Sequence, residues 1–190
     1  MSVVVRISNH DRSQVLLTGD IDAVGLENLM ANVADLHARV LVFPHHGGLP
    51  GQDDPYDFAR RLCEAVSPDV VVFSIGRGKH ATPRPDIVAG VRAAAQTVHV
   101  ACTQLSEHCA AALPTSQPTH LSDRPARGKA SNACCAGSIV VTFNEMHEYV
   151  PLVEDHATFI SAAATYCSLH ARPRVPIATA GDFTSWRNCF

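Results

Sequence analysis

The sequence predicts an α/β fold in which short buried strands alternate with helices. Runs of β-branched and other apolar residues recur through the first hundred positions. Between these runs the apolar residues change to helical spacing, and clusters of Gly, Pro and Asp separate the segments. This alternation is typical of a layered α/β architecture.

The first two strands, 2–7 and 13–18, flank a polar turn and are expected to pair antiparallel. Helical spacing then runs from Val24 to Leu36, with Asp22 near the start of the helix. The remaining predicted elements are strand 40–43, helix 56–66, strand 70–74, helix 85–95 and strand 97–101.

The regular alternation ends at residue 102. Segment 102–137 has no apolar periodicity and carries four of the seven cysteines, so we interpret it as a Cys-rich insertion. A strand over 138–143 is expected to complete a domain spanning 1–143. The C-terminal region, 144–190, is expected to form a helix over 154–170 and a tail.

The amino-acid composition excludes several classes of protein. Of 190 residues, 46% are hydrophobic and 17% are charged, with a net charge of −3, which excludes a disordered chain and a basic protein that coats nucleic acid. The sequence shows neither a stretch of 18 apolar residues nor an export leader, so we expect no membrane partner and a cytoplasmic location. An odd number of cysteines fits a reducing compartment.

Polar residues follow two neighbouring strands of the predicted sheet. Asp20 comes after strand 13–18, and His45 and His46 come after strand 40–43. Open α/β sheets bind their ligands at this carboxyl edge, and a carboxylate that meets an imidazole there forms half of a zinc or manganese site. Taken singly, Asp20 is also explained as a helix N-cap and the histidine pair as a surface turn.

Two glycines follow the histidine pair. Gly47 and Gly48 are interpreted as positions where the backbone approaches a metal or an anionic substrate, because neither residue carries a Cβ.

Taken together, these segments resemble a known family. The order LLTGD, helix, PHHGG, helix, SPDVVVFSIG and a loop ending in TPRP resembles the later part of metallo-β-lactamase-fold domains of the competence (ComEC-like) type, over roughly residues 3–143. The resemblance implies part of an αββα sandwich and a metal-dependent hydrolase acting on phosphodiesters of a nucleic acid or nucleotide. It also implies that Asp20 and His45 bind metal and that His46 supports them or faces phosphate.

The chain departs from the family in its missing earlier half. The His-x-His-x-Asp-His motif and the histidine that follows it are absent. A catalytic zinc takes three protein ligands and keeps one open position, whereas this chain offers two ligands. We therefore expect a protein partner or an upstream segment to complete the site.

The later loop also differs from the family, because Ala81-Thr82-Pro83 stands in place of Gly-His-Pro. Lys79, His80 and Arg84 are the candidate phosphate-binding residues of this loop, and solvated loop charges are the alternative.

Cys102, Cys109, Cys134 and Cys135 flank the insertion and form a second candidate site. Four thiolates at the base of this loop would hold a structural zinc, with His108 or His120 as a substitute for one of the adjacent cysteines. Unligated thiols and redox or disulfide chemistry are the alternatives.

Two hypotheses of function therefore remain open. The first is the partial hydrolase. The second is a catalytically inactive, zinc-stabilised module whose Cys-rich insertion binds a protein partner.

Overall fold

A computed structural model describes residues 2–9, 12–78, 80–141 and 153–163 of the chain. None of the helices in these ranges is both long and apolar enough to cross a membrane. The elements in chain order are β1 (Val5–Asn9), β2 (Arg12–Leu17), α1 (Ala23–Asn32), β3 (Val40–Val42), a 3₁₀ turn (Pro44–Gly47), α2 (Pro55–Val66), β4 (Val70–Phe73), α3 (Pro85–Ala94), β5 (His99–Cys102), a second 3₁₀ turn (Lys129–Ser131) and α4 (Val153–Ala163).

The five strands form one sheet in the order β1-β2-β3-β4-β5. β1 pairs antiparallel with β2, and the other neighbours pair parallel. The sequence therefore predicted the mixed α/β class and the antiparallel opening correctly. Parallel neighbours need a crossover connection, and α1, α2 and α3 provide the three that the order requires.

Caps and packing set the helix boundaries. Asp22 caps α1, because its carboxylate accepts a hydrogen bond from Gly25 N at 2.8 Å, and Asp54 caps α2 in the same way. α1 ends at Asn32, four residues earlier than the apolar spacing suggested, because Val33 adopts an extended backbone.

The three crossover helices cover one face of the sheet. Alternate strand residues such as Leu16, Leu41 and Val71 pack with them in the main core. Cys63 of α2 belongs to this core, and burial raises the pKa of its thiol to about 12.

The second face of the sheet carries a separate apolar cluster. Its buried members are Val15, Val40, Val70, Val72, Ala101 and Ala136. Chain 136–141 crosses this face and packs Ile139 and Val141 against it. A cavity of about 700 Å³ lies between this segment and strands β2 to β4.

The structure corrects the prediction of a strand over 138–143. Residues 138–141 are not part of the sheet, and residues 142–143 lie outside the described ranges. These residues contribute side chains to the second face without joining the backbone ladder, so their β-branched composition indicates packing and not pairing.

The insertion is irregular, as expected. One isolated bridge, Gln104 with Cys134, joins its two ends. Helix α4 accounts for the described part of the predicted helix 154–170, whereas residues 164–170 and the tail 171–190 lie outside the described ranges.

Candidate functional site

Asp20 and His45 meet at the carboxyl edge of the sheet. Leu17 of β2 lies beside Val42 of β3, and each functional residue follows its strand by three positions. The distance from His45 Nδ1 to Asp20 Oδ1 is 3.8 Å. The predicted convergence of a carboxylate and an imidazole is therefore present in the structure.

The two partners differ in exposure. The Asp20 side chain is 67% exposed and that of His45 is 28% exposed. An interaction between charges at this exposure contributes little to stability.

The histidine pair has an unusual backbone. His45 and His46 have φ angles of 50° and 55°, both in the left-handed region. Each such non-glycine residue costs about 1–2 kcal/mol. Strain of this kind concentrates at functional sites.

His46 is held by the neighbouring strand end. Its Nδ1 donates a hydrogen bond to Ser74 O at 2.5 Å, although the side chain is exposed. The contact orients the ring beside the pair and leaves the phosphate-facing role of His46 a prediction.

The structure gives Gly47 a packing role, and the expected approach of its backbone to a ligand stays a prediction. A Cβ at Gly47 would lie 2.5 Å from Pro83 Cβ and 2.7 Å from Phe73 Cδ1. Its φ of 79° also favours glycine. Packing against the protein's own loop and core therefore requires this glycine. At Gly48 the closest atom to an added Cβ is His45 O, at 3.0 Å.

His45 carries a buried nitrogen without a hydrogen-bond partner. Its Nε2 is inaccessible to solvent and is the unsatisfied buried side-chain polar atom found in the described part of the chain. A buried polar atom of this kind normally has a partner, and the described residues supply none for Nε2. The other ring nitrogen, Nδ1, faces Asp20 Oδ1 at a distance that one divalent cation can span, so these two atoms fit half of a coordination sphere.

The other half is not supplied by the described residues. Within ranges 2–9, 12–78, 80–141 and 153–163, no group of three or more His, Cys, Asp or Glu side chains is placed to hold a metal ion.

The loop residues proposed to contact phosphate have mixed positions. Lys79 lies outside the described ranges, and His80 is exposed. Arg84 donates to the Asp86 carboxylate at 2.6 Å, and this hydrogen bond raises the pKa of Arg84 and lowers the pKa of Asp86. The guanidinium therefore already has an anionic partner, and phosphate binding by the loop stays a prediction.

The cysteines of the insertion are buried but point to different partners. Cys134 Sγ lies 3.6 Å from Arg127 O, whereas Cys135 Sγ lies 3.1 Å from His156 Nε2. Cys102 and Cys109 belong to the main core. Burial raises the pKa of Cys134, which opposes formation of a thiolate.

The two histidines named as substitute ligands also have partners. His108 Nε2 donates to Ala81 O and His120 Nε2 donates to Cys135 O, at 3.2 and 2.7 Å. The structural zinc stays a prediction.

A row of contacts between one thiol and two imidazoles was not predicted from the sequence. His156 of α4 joins Cys135 through Nε2 and His99 of β5 through Nδ1, the latter at 2.9 Å. Burial lowers the pKa of His99 to about 4, and the charge of Arg92 acts in the same direction. The three residues are too far apart in sequence for any spacing to reveal them.

No protein-family model matches the chain, and neither the curated proteins nor the solved structures include a significant match.

Proposed function

We propose that this chain is part of a metal-dependent hydrolase of the metallo-β-lactamase type, in which Asp20 and His45 supply two of the metal ligands. The observation that carries the proposal is their separation of 3.8 Å at the carboxyl edge of the sheet. Sequence resemblance suggests phosphodiesters of a nucleic acid or nucleotide as the substrate class.

The chain's own residues prepare this half of the site. Asp20 Oδ1 faces His45 Nδ1, and one divalent cation placed between these two atoms would be bound by both. The Ser74 carbonyl fixes His46 beside them. A divalent cation supplies Lewis acidity toward a phosphoryl oxygen when it is bound.

The second face of the sheet supports the view that the domain is incomplete. In an αββα sandwich a second sheet packs on the face opposite the helices, and here that face is an apolar cluster beside a 700 Å³ cavity. We infer that a protein partner or an upstream segment packs there and brings the remaining ligands.

Metal binding by the chain tests the proposal. We expect Asp20→Asn and His45→Gln to weaken Mn²⁺ binding at least tenfold in equilibrium dialysis, because each removes one of few ligands. Asp53→Asn and His37→Gln change an exposed carboxylate and an exposed imidazole and serve as matched controls.

A hydrolase assay tests whether a chain that supplies two metal ligands is active by itself. The chain alone is expected to leave a phosphodiester probe such as bis(p-nitrophenyl) phosphate intact, because two ligands do not complete a catalytic site. Hydrolysis of the probe by the chain alone, or Mn²⁺ binding that neither substitution weakens, would contradict the proposal.

A further inference from the structure

Thr18 joins the two strands that carry the candidate metal ligands. The paired residues of β2 and β3 end at Leu17 and Val42. Thr18 is the next residue of the chain, it is buried, and its hydroxyl donates a hydrogen bond to Val42 O at 2.7 Å. This bond lies beyond the last paired residues, at the end of the sheet where Asp20 and His45 also lie.

The chain between Val42 and His45 is fixed by its own contacts. Phe43 N donates a hydrogen bond to Val72 O of β4 at 2.9 Å, and the Phe43 side chain is buried. Gly48 N donates to His45 O at 2.8 Å. A displacement of the Val42 carbonyl is therefore transmitted to His45.

The chain between Thr18 and Asp20 is constrained as well. Gly19 has a φ of 57°, and a Cβ added to it would lie 2.9 Å from Val3 O, so the backbone turns in a space that suits glycine. Ser2 Oγ donates to Asp20 O at 2.8 Å. The position of Asp20 therefore follows that of Thr18.

We propose that the Thr18 hydroxyl sets the separation between Asp20 and His45. Each of these residues is held on its own strand, and the hydrogen bond from Thr18 to the Val42 carbonyl fixes one strand end relative to the other. Thr18 is then a positioning residue that acts through the backbone. Its effect on metal binding rests on the proposed function, in which one cation is shared by Asp20 and His45.

Three substitutions at Thr18 vary the strength of this hydrogen bond. Thr18→Ser keeps the hydroxyl, Thr18→Cys offers a weaker donor, and Thr18→Val keeps the shape and removes the donor. Thr103→Val is the matched control, because the Thr103 hydroxyl donates to Ile75 O at 2.9 Å and joins the chain after β4 to the chain after β5. Circular dichroism and urea denaturation compare the folding and stability of all four variants.

NMR of the metal-free chain tests the separation itself. Asp20→Asn is expected to shift the His45 Nδ1 resonance, because Asp20 Oδ1 lies 3.8 Å away, and this shift measures the coupling between the two side chains. In the Thr18→Val background the shift is expected to fall to about half or less, whereas Thr18→Ser is expected to preserve it. Thr103→Val is expected to leave it unchanged, although it also removes a hydrogen bond between strand ends.

Equilibrium dialysis with Mn²⁺ tests the consequence for the proposed site. Thr18→Val is expected to weaken binding about tenfold, the lower end of the effect of removing a group that orients a metal ligand. Thr18→Cys is expected to weaken binding less, and it replaces Thr18→Val in both measurements if the valine variant does not fold. Thr18→Ser and Thr103→Val are expected to bind Mn²⁺ as the wild type does.

The NMR result decides the inference independently of the metal. A coupling that Thr18→Val leaves unchanged would overturn it, and so would an equal loss of coupling in Thr103→Val, because general destabilisation would then be the cause. Mn²⁺ binding that Asp20→Asn does not weaken would contradict the proposed function alone. In that case a coupling lost in Thr18→Val and preserved in Thr18→Ser would still support the positioning role.

Discussion

Individual residues show where the local chain is constrained. Gly47 lies between the histidine pair and the core, and an added Cβ there meets Pro83 and Phe73. Gly51 also has a positive φ, of 88°, but a Cβ there meets only Asp22 Cβ at 3.8 Å. Replacing each glycine by alanine therefore distinguishes the energetic cost of backbone strain from the cost of overpacking.

Gly47→Ala is expected to lower the free energy of unfolding by about 3 kcal/mol, the sum of left-handed strain and overpacking. Gly51→Ala is expected to cost about 1 kcal/mol, from strain alone. Urea denaturation measures both. Equal costs would show that Pro83 and Phe73 yield to the added methyl group.

His99 makes stability depend on pH. Its pKa is about 4 in the folded chain because of burial, against 6.5 in the unfolded chain. The unfolded chain therefore binds a proton over this interval that the folded chain does not bind. The stabilisation is fully present above pH 6.5 and is lost as the pH falls from 6.5 toward 4.

His99→Gln is expected to reduce the rise of unfolding free energy between pH 4 and 6.5, measured by urea denaturation at several pH values. His37→Gln replaces an exposed histidine and is the control. If the unfolding free energy of His99→Gln depends on pH as it does in the wild type, His99 is not a buried neutral imidazole.

At the scale of elements, α2 and α3 approach closely at Gly90. A Cβ at this position would collide with Tyr56 O and lie 2.9 Å from Ala59 Cβ. Replacing a glycine within a helix by alanine ordinarily stabilises it by about 0.5–1 kcal/mol. Here the contact between helices opposes that gain.

Gly90→Ala is expected to destabilise the protein by about 1–2 kcal/mol, because overpacking outweighs helix propensity. Gly25→Ala in α1, where the nearest atom is Ile21 Cβ at 3.2 Å, is the comparison and is expected to change stability less. Thermal and urea unfolding measure both variants. Stabilisation by Gly90→Ala would show that the two helices separate easily.

Sequence patterns predicted the elements whose signals are local. The boundaries between strands, turns and helices in the sequence predicted β2 and β3. The parallel pairing of these strands brings Asp20 and His45 together. The chain from Cys135 through His156 to His99 was missed, because tertiary packing alone joins residues 21 and 57 positions apart. Segment 138–141 was misassigned because β-branched residues pack on a sheet face as readily as they pair.

At the scale of the whole molecule, the two faces of the sheet differ in what covers them. Helices complete the first face, and the second remains apolar as far as the edge strand β1. Asp20 and His45 lie at the end of this same sheet. Under the proposed function, a chain that covers the second face would bring the third ligand, which no described residue supplies.

The central claim is that Asp20 Oδ1 and His45 Nδ1 bind the same metal ion. Long-range ¹H–¹⁵N NMR of the His45 ring during a zinc titration tests it directly, with His45→Gln used to assign the signals. We predict that the Nδ1 resonance shifts on zinc addition and that Asp20→Asn weakens this response at least tenfold. A His45 ring that stays unchanged while zinc binds elsewhere would contradict the account.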